Sequence, residues 1–378
     1  MHVSLIDLRH RLASVREELD AAIARVIDRG SFVLGPELEA LEATMADLTG
    51  AQYAVGCASG SDALLLALMT LGVGPGDQVI VPSLTFISTA TAVSRLGAEV
   101  VFADVDARTL TLDPASVEGA ARGCHALRAI VQVHLFGYCP GGAALRAVAD
   151  RYGAALVHDA AQSLGGHDSS GAPPGASGEL TAFSFYPTKN LGALGDAGLV
   201  TTSDHEQARA IQSLRAHGTE RIDRPSAIGF NSRLDELQAA ALQVLLPGLG
   251  QQVAARNTIA DDYDELFASA GALARGLEVP HRPDAPGRHA FHHYVVRVSG
   301  AKRDALAAAL AEHGVETGRY YRTPLHQLNG FQPRSVRDAP LPETERAARE
   351  TLALPVHPGV GASQRRYVVE QVVEHLGG

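Results

Sequence analysis

Lys189 stands in the run Phe183-Ser184-Phe185-Tyr186-Pro187-Thr188-Lys189-Asn190-Leu191-Gly192, where a short apolar strand pattern stops at Pro187 and a glycine-rich loop follows. Lys189 and Lys302 are the only two lysines of the chain. A lysine among apolar and small residues admits two readings. It is a loop cation at a strand end, or an amine that burial makes nucleophilic and able to form a Schiff base with a carbonyl cofactor. The second reading requires the rest of a cofactor site elsewhere in the chain.

Several stretches offer its parts, each with a plainer alternative. Ser59-Gly60-Ser61-Asp62 lies between a strand pattern and a strongly apolar helix pattern. Free N–H groups and the positive end of a helix dipole there suit a phosphate, or Ser61 or Asp62 simply caps the helix. His158-Asp159-Ala160-Ala161-Gln162 closes a buried strand pattern. Asp159 can face a pyridinium nitrogen and keep it protonated, with Gln162 on the ring hydroxyl, or Asp159 caps a turn. Ser184 reaches the same phosphate or bonds to backbone in the core. Phe86 stacks on a heteroaromatic ring or fills core.

These side chains need elements to hold them. Tyr53–Cys57, Val79–Val81, Val100–Ala103, Ala129–His134, Ala155–Asp159, Ala182–Phe185 and Gly198–Thr202 read as strands. Helical patterns at 63–71, 90–96, 114–121 and 142–152 alternate with them. Continuous apolar strands between helices predict a largely parallel sheet covered by helices. Patterns at 12–29 and 36–49 read as helices before it, broken by Gly30 and Gly35-Pro36. Beyond Asp204 helices dominate at 205–215, 232–246 and 250–270, followed by a strand at Tyr294–Val298, a helix at 302–313 and a proline-rich stretch at 322–342. The boundary is placed at 248, giving a large domain over 1–248 and a smaller α+β domain over 249–378.

Composition narrows the class. The formal charge of −10 argues against a nucleic-acid binder. Cys57, Cys124 and Cys139 show no metal-ligand spacing and fit a reducing compartment. The N-terminal stretch lacks the apolar core of a signal peptide, and no apolar run reaches the ~18–20 residues of a membrane span. A cytoplasmic protein without metal, membrane or nucleic-acid partner is expected. His289, His292 and His293 precede a strand with no matching carboxylate pattern, so they do not read as a metal site. Gly72-Val73-Gly74-Pro75-Gly76 follows a helix, not a strand, which speaks against a dinucleotide-binding turn.

Taken together, the chain resembles the DegT/DnrJ/StrS sugar aminotransferases. The resemblance runs from Leu5-Ile6-Asp7-Leu8 through Ser59-Gly60-Ser61-Asp62, Val81-Pro82-Ser83-Leu84-Thr85-Phe86 and Asp159-Ala160-Ala161-Gln162. It continues through the Lys189 loop and Asn231-Ser232-Arg233-Leu234-Asp235-Glu236 to Leu352-Ala353-Leu354-Pro355. It implies an α/β, aspartate-aminotransferase-like fold (fold type I) and pyridoxal 5'-phosphate as cofactor. Lys189 would be the Schiff-base lysine and Asp159 the partner of the pyridine nitrogen. Gln162 would lie near the ring hydroxyl and Phe86 on the ring, while Gly60, Ser61 and Ser184 hold the phosphate. Asn231 would reach the phosphate of a neighbouring subunit, implying a homodimer; on its own this stretch also reads as a helix start with Ser232 as N-cap and Asp235 three residues on. Tyr186, Arg319, Tyr321 and His326 fall at positions facing the substrate, and Arg319 with Arg322 reads either as a pyrophosphate site or as surface arginine. The resemblance also implies L-glutamate as donor and a nucleotide-linked keto sugar as acceptor, by ping-pong exchange. Gly195-Asp196-Ala197-Gly198 resembles members acting at carbon 3, which points to a dTDP-linked 3-keto-6-deoxyhexose; action at carbon 4, or a regulator that keeps the fold without turnover, are the alternatives. A dehydratase of the family would carry histidine at position 189. The chain departs from the family at His158, at Leu164 and in Arg319-Tyr320-Tyr321-Arg322, which bears on the substrate pocket.

Overall fold

Apolar β-branched runs bounded by glycine and proline build the central sheet, and most of their side chains are buried on both faces. The computed structural model describes residues 1–219, 227–299, 302–331, 335–336 and 340–376. Its strands are β1 (Tyr53–Cys57), β2 (Gln78–Pro82), β3 (Glu99–Ala103), β4 (Leu127–Val133), β5 (Ala155–Asp159), β6 (Thr181–Ser184) and β7 (Gly198–Thr202). β8 (Leu277–Glu278), β9 (Tyr294–Val298), β10 (Ser335–Val336) and β11 (Thr351–Leu354) follow. The large sheet has the order β1-β7-β6-β5-β4-β2-β3-β10. All its neighbours are parallel except β7, which runs antiparallel to both β1 and β6.

That topology brings the carboxyl ends of β1, β2, β4, β5 and β6 to one edge, where open parallel sheets bind ligands. The start of β7 comes to the same edge, since Gly198 pairs with both Cys57 and Ser184. The helix Gly60–Thr70 lies against the sheet with Ala63 to Leu68 buried without interruption, as its all-round apolar pattern requires.

The smaller antiparallel sheet, β11-β9-β8, has its own core around Tyr263, Phe267, Phe291, Tyr294 and Val372. The division placed at residue 248 meets the turn Leu246–Gly248, just ahead of the helix Leu249–Ser269. Two segments cross that division. Val3 packs in the small core and bridges to Val315, while Leu325, Phe331 and Leu341 pack in the core of the large sheet.

Several sequence expectations shift. The pattern at 12–29 is two helices, Leu8–Ala13 and Arg16–Arg29. The helix expected from 232 begins at Glu236, and Ser232 is not its cap. Helices Pro342–Glu350 and Ala362–His375 and strand β11 lie where no element was read. The first of these buries only Thr344, Ala347 and Ala348, too few apolar residues for a legible stripe. Among the described residues no helix is long and apolar enough to cross a membrane.

Candidate active site

A cavity of about 550 Å³ opens at the carboxyl edge of the large sheet. Gly60, Ser61, Phe86, Asp159, Gln162, Ser184, Tyr186, Lys189 and Tyr321 all line it. Residues scattered over more than half the chain are thus gathered by the ends of β1, β2, β5 and β6.

The helix after β1 begins at Gly60, and its N-cap is Ser59, whose Oγ accepts from the Asp62 N–H at 3.1 Å. That leaves the Ser61 hydroxyl at the cavity, 2.6 Å from Ser88 Oγ. Asp62 is turned to Ser232, which donates to its Oδ2 at 2.8 Å. Gly60 has to be glycine: a Cβ there would lie 2.5 Å from Ser184 Cβ. The close approach sets the helix N-terminus, Ser61 and Ser184 around one point, a cradle fit for a phosphate.

Asp159 ends β5 and is buried. Burial raises its carboxyl above the usual aspartate value, opposed by a hydrogen bond from Thr89 at 2.9 Å, the Ala161 N–H at 3.2 Å and the charge of Lys189. A buried carboxylate whose donors do not fully compensate it suits a cationic ring nitrogen. Gln162 has its orientation fixed. Its Oε1 accepts from the Phe136 N–H at 2.6 Å, so Nε2 is the free end and donates to Tyr321 OH at 3.4 Å.

Lys189 is partly buried at the cavity wall, in a loop folded by its own N–H donating to Tyr186 O at 2.8 Å. Burial lowers its ammonium to about 8, with Asp159 pulling the other way. A neutral amine is therefore accessible near neutral pH. Phe86 is 53% exposed and Tyr186 52% exposed, so neither is core. The Phe86 ring sits 6.2 Å from that of Tyr321.

Two expected residues lie elsewhere. His326 is buried away from the cavity, its Nδ1 at 2.7 Å from Ser83 Oγ and its Nε2 at 3.3 Å from Glu345. The tight turn after Pro324 directs it into the large core beside Phe102. Arg319 reaches Asp304 at 2.8 Å on the surface. Asn231, expected to reach a neighbouring subunit and not this cavity, is exposed and bridges to Ala216.

Other residues enter that sequence reasoning did not place there. His292 and His293 line the cavity, both held well below the ordinary histidine value by burial. Tyr320 stacks on His293 with ring centres 4.3 Å apart. Thr85 and Thr89 hydroxyls lie 3.0 Å apart behind Asp159. Ile6 closes one side. Ile6, Thr85 and Tyr320 fall in stretches that carry the family resemblance or depart from it, whereas Thr89, His292 and His293 gave no signal for the cavity. Among the described residues no group of three or more His, Cys, Asp or Glu is arranged to hold a metal ion.

The model of the DegT/DnrJ/EryC1/StrS aminotransferase family matches residues 13–373. The chain is 41% identical over 372 residues to the dTDP-3-amino-3,4,6-trideoxy-alpha-D-glucose transaminase of Streptomyces venezuelae, covering 98% of this chain and 96% of that one. It is 39% identical over 375 residues to the pleiotropic regulatory protein of Geobacillus stearothermophilus, covering 99% and 98%. The crystal structure of S. venezuelae DesV in complex with a ketimine intermediate superposes with a TM-score of 0.93 at 39% identity, covering 100% and 99%. With the lysine, the buried carboxylate and the phosphate cradle in one cavity, and a match along nearly its whole length, the chain belongs to the DegT/DnrJ/EryC1/StrS aminotransferase family of pyridoxal-phosphate-dependent sugar aminotransferases.

Proposed function

We propose that this protein transfers an amino group from L-glutamate to carbon 3 of a dTDP-linked 3-keto-6-deoxyhexose, by ping-pong exchange, as a homodimer in which Asn231 reaches the partner's site. The observation that carries the reading is Lys189: an amine lowered to about 8 that shares one cavity with the buried Asp159. The choice of carbon 3 is supported by Gly195-Asp196-Ala197-Gly198 and by the S. venezuelae relative, whose name places its amino group there.

Pyridoxal phosphate, when bound, supplies an aldehyde and an electron-withdrawing ring that stabilises charge at the carbon losing its proton. The chain's residues do the rest. Gly60, Ser61 and Ser184 would hold the phosphate of the cofactor, and Asp159 would keep its ring nitrogen protonated. Gln162 Nε2 would donate to its hydroxyl, and Phe86 would pack against it. Lys189 Nζ would be the group that holds and moves the proton, taking it up beside the donor's α carbon and giving it back when the sugar ketone takes the donor's place. Tyr186, Tyr320, Tyr321 and His293 wall the cavity in which these transfers would take place.

Incubation with L-glutamate alone is expected to release 2-oxoglutarate and shift the visible absorbance to that of the pyridoxamine form. A panel of dTDP-linked 3-keto and 4-keto 6-deoxyhexoses then reads the position of transfer. Preferential amination of a 4-keto sugar refutes the carbon 3 assignment. The name of the G. stearothermophilus relative favours a second reading, a regulator without turnover. Failure of glutamate to yield 2-oxoglutarate from a protein that binds the cofactor selects that reading.

A further inference from the structure

Arg11 donates to three backbone carbonyls of the lysine loop. Nη1 reaches Lys189 O at 3.0 Å, while Nη2 reaches Pro187 O at 3.0 Å and Gly192 O at 3.1 Å. Among the described residues no carboxylate forms an ion pair with it, and burial lowers its guanidinium below the ordinary value. The loop is pinched at these positions: a Cβ on Gly192 would overlap the Pro187 carbonyl. One planar group therefore bridges both legs of the pinch and the residue between them, a geometry that arginine's fixed fork of donors can meet and a lysine ammonium cannot.

The segment that delivers Arg11 is itself anchored far away. Val3 exchanges two hydrogen bonds with the small domain, donating to Gly314 O at 2.9 Å and accepting from the Glu316 N–H at 3.0 Å. The Leu5 N–H donates to Glu316 Oε2 at 3.0 Å, and His357 Nε2 donates to Ser4 O at 3.0 Å. Ile6 then lines the cavity, and Asp7 caps the short helix Leu8–Ala13 by accepting from the His10 N–H at 3.1 Å. Residues 3–11 form a strap that runs from the small sheet past the cavity to the lysine loop.

We infer that Arg11 is a positioning residue for Lys189: it pins the backbone of the loop so that only the lysine side chain moves during transfer, and the strap sets that pin relative to the small domain. The inference rests on the reading of Lys189 as the amine that takes the cofactor aldehyde. The charge of Asp159 acts on the amine, and that of the amine on His292 and His293, with Asp196, Tyr186, Tyr320 and Tyr321 lining the same cavity; Arg11 hydrogen-bonds the loop carbonyls, and its charge also acts on Arg256. Because Arg11→Lys keeps the positive charge, a shift in the titration of Lys189 in that variant reports a displaced amine and not a lost charge.

The test uses the full chain stripped of cofactor, as wild type, Arg11→Gln and Arg11→Lys. Arg11→Lys keeps the charge and the stem and guards against loss of the fold. Amide hydrogen exchange at Lys189 and Ala193 is expected to quicken about tenfold or more in Arg11→Gln and by less in Arg11→Lys, with β4 and β5 unchanged. Added pyridoxal phosphate should be captured more slowly by both variants, and the pH midpoint of its absorbance change should move upward as the amine becomes less enclosed. Unchanged loop exchange and an unchanged midpoint in both variants overturn the role of Arg11, as does full rescue by Arg11→Lys. If borohydride traps no adduct on Lys189 in the wild type, the reading of the lysine fails instead, so the two failures stay distinct.

Discussion

Thr89 donates its hydroxyl to the buried Asp159 carboxylate at 2.9 Å, with Thr85 behind it at 3.0 Å. With its proton committed to the carboxylate, Thr89 accepts from Thr85, so two hydroxyls are lined up to hold one negative charge. Replacing Thr89 with valine removes a hydrogen bond to a charged group and lets the carboxyl rise further. We expect cofactor affinity to fall roughly tenfold in Thr89→Val, measured by titrating apoprotein with pyridoxal phosphate. Unaltered affinity would show that Asp159 needs no such support.

Lys189 gives a pH dependence of known sign. Its ammonium is lowered to about 8 chiefly by burial, and the charge of Asp159 opposes the shift. Capture of pyridoxal phosphate by the apoprotein should accelerate as pH rises through about 8 and then level off. Asp159→Asn removes the opposing charge, so the midpoint should move to lower pH. An upward move contradicts the electrostatic coupling of these two residues. Lys189→Ala should abolish both capture and turnover, checked by borohydride trapping and by release of 2-oxoglutarate.

Gly60 and Ser184 should behave as a coupled pair. Gly60→Ala places a Cβ 2.5 Å from Ser184 Cβ, costing roughly 1–3 kcal/mol through forced separation of the helix start from β6. Ser184→Gly in the same chain relieves the clash but removes a phosphate contact. Cofactor affinity of the double variant should exceed the sum of the single effects. Strict additivity would mean that the two residues do not share the cradle.

His326 should matter to stability and not to substrate binding. Its bonds to Ser83 and Glu345 lie inside the large core. His326→Ala is expected to cost roughly 2 kcal/mol in denaturant unfolding while the KM for the nucleotide sugar stays unchanged. A raised KM with full stability would return His326 to the substrate site.

Glu179 offers an acid-stability test. Burial would raise its carboxyl, but hydrogen bonds from His158, Ser177 and Arg146 outweigh this and bring it to about 2. A carboxylate held below its free value stabilises the fold fully above the ordinary glutamate range, and that stability is lost as pH falls toward about 2. Glu179→Gln should therefore be less stable than wild type near neutral pH, with the gap closing on acidification. A gap that widens in acid would contradict this sign.

Much of the site was legible because its residues sit at strand ends with small or polar neighbours, where propensity and topology agree. Asp159 closes a continuous apolar strand, and Lys189 follows one directly, so the fold class and the lysine's place could be read together. What stayed hidden depends on contacts between distant segments. Nothing in Leu8-Arg9-His10-Arg11 signals that Arg11 would meet carbonyls at 187, 189 and 192. His326 was misplaced because a residue beside a pocket-forming turn can point to either side of it, and local sequence does not say which. Thr89 escaped because a threonine early in a helix is ordinary until a carboxylate is seen beneath it.

Val3 can find its place only after residue 315 has left the ribosome, since its pairing partners lie in the last quarter of the chain. Domains emerge amino end first, so these contacts close only when the partners at 314–316 have followed.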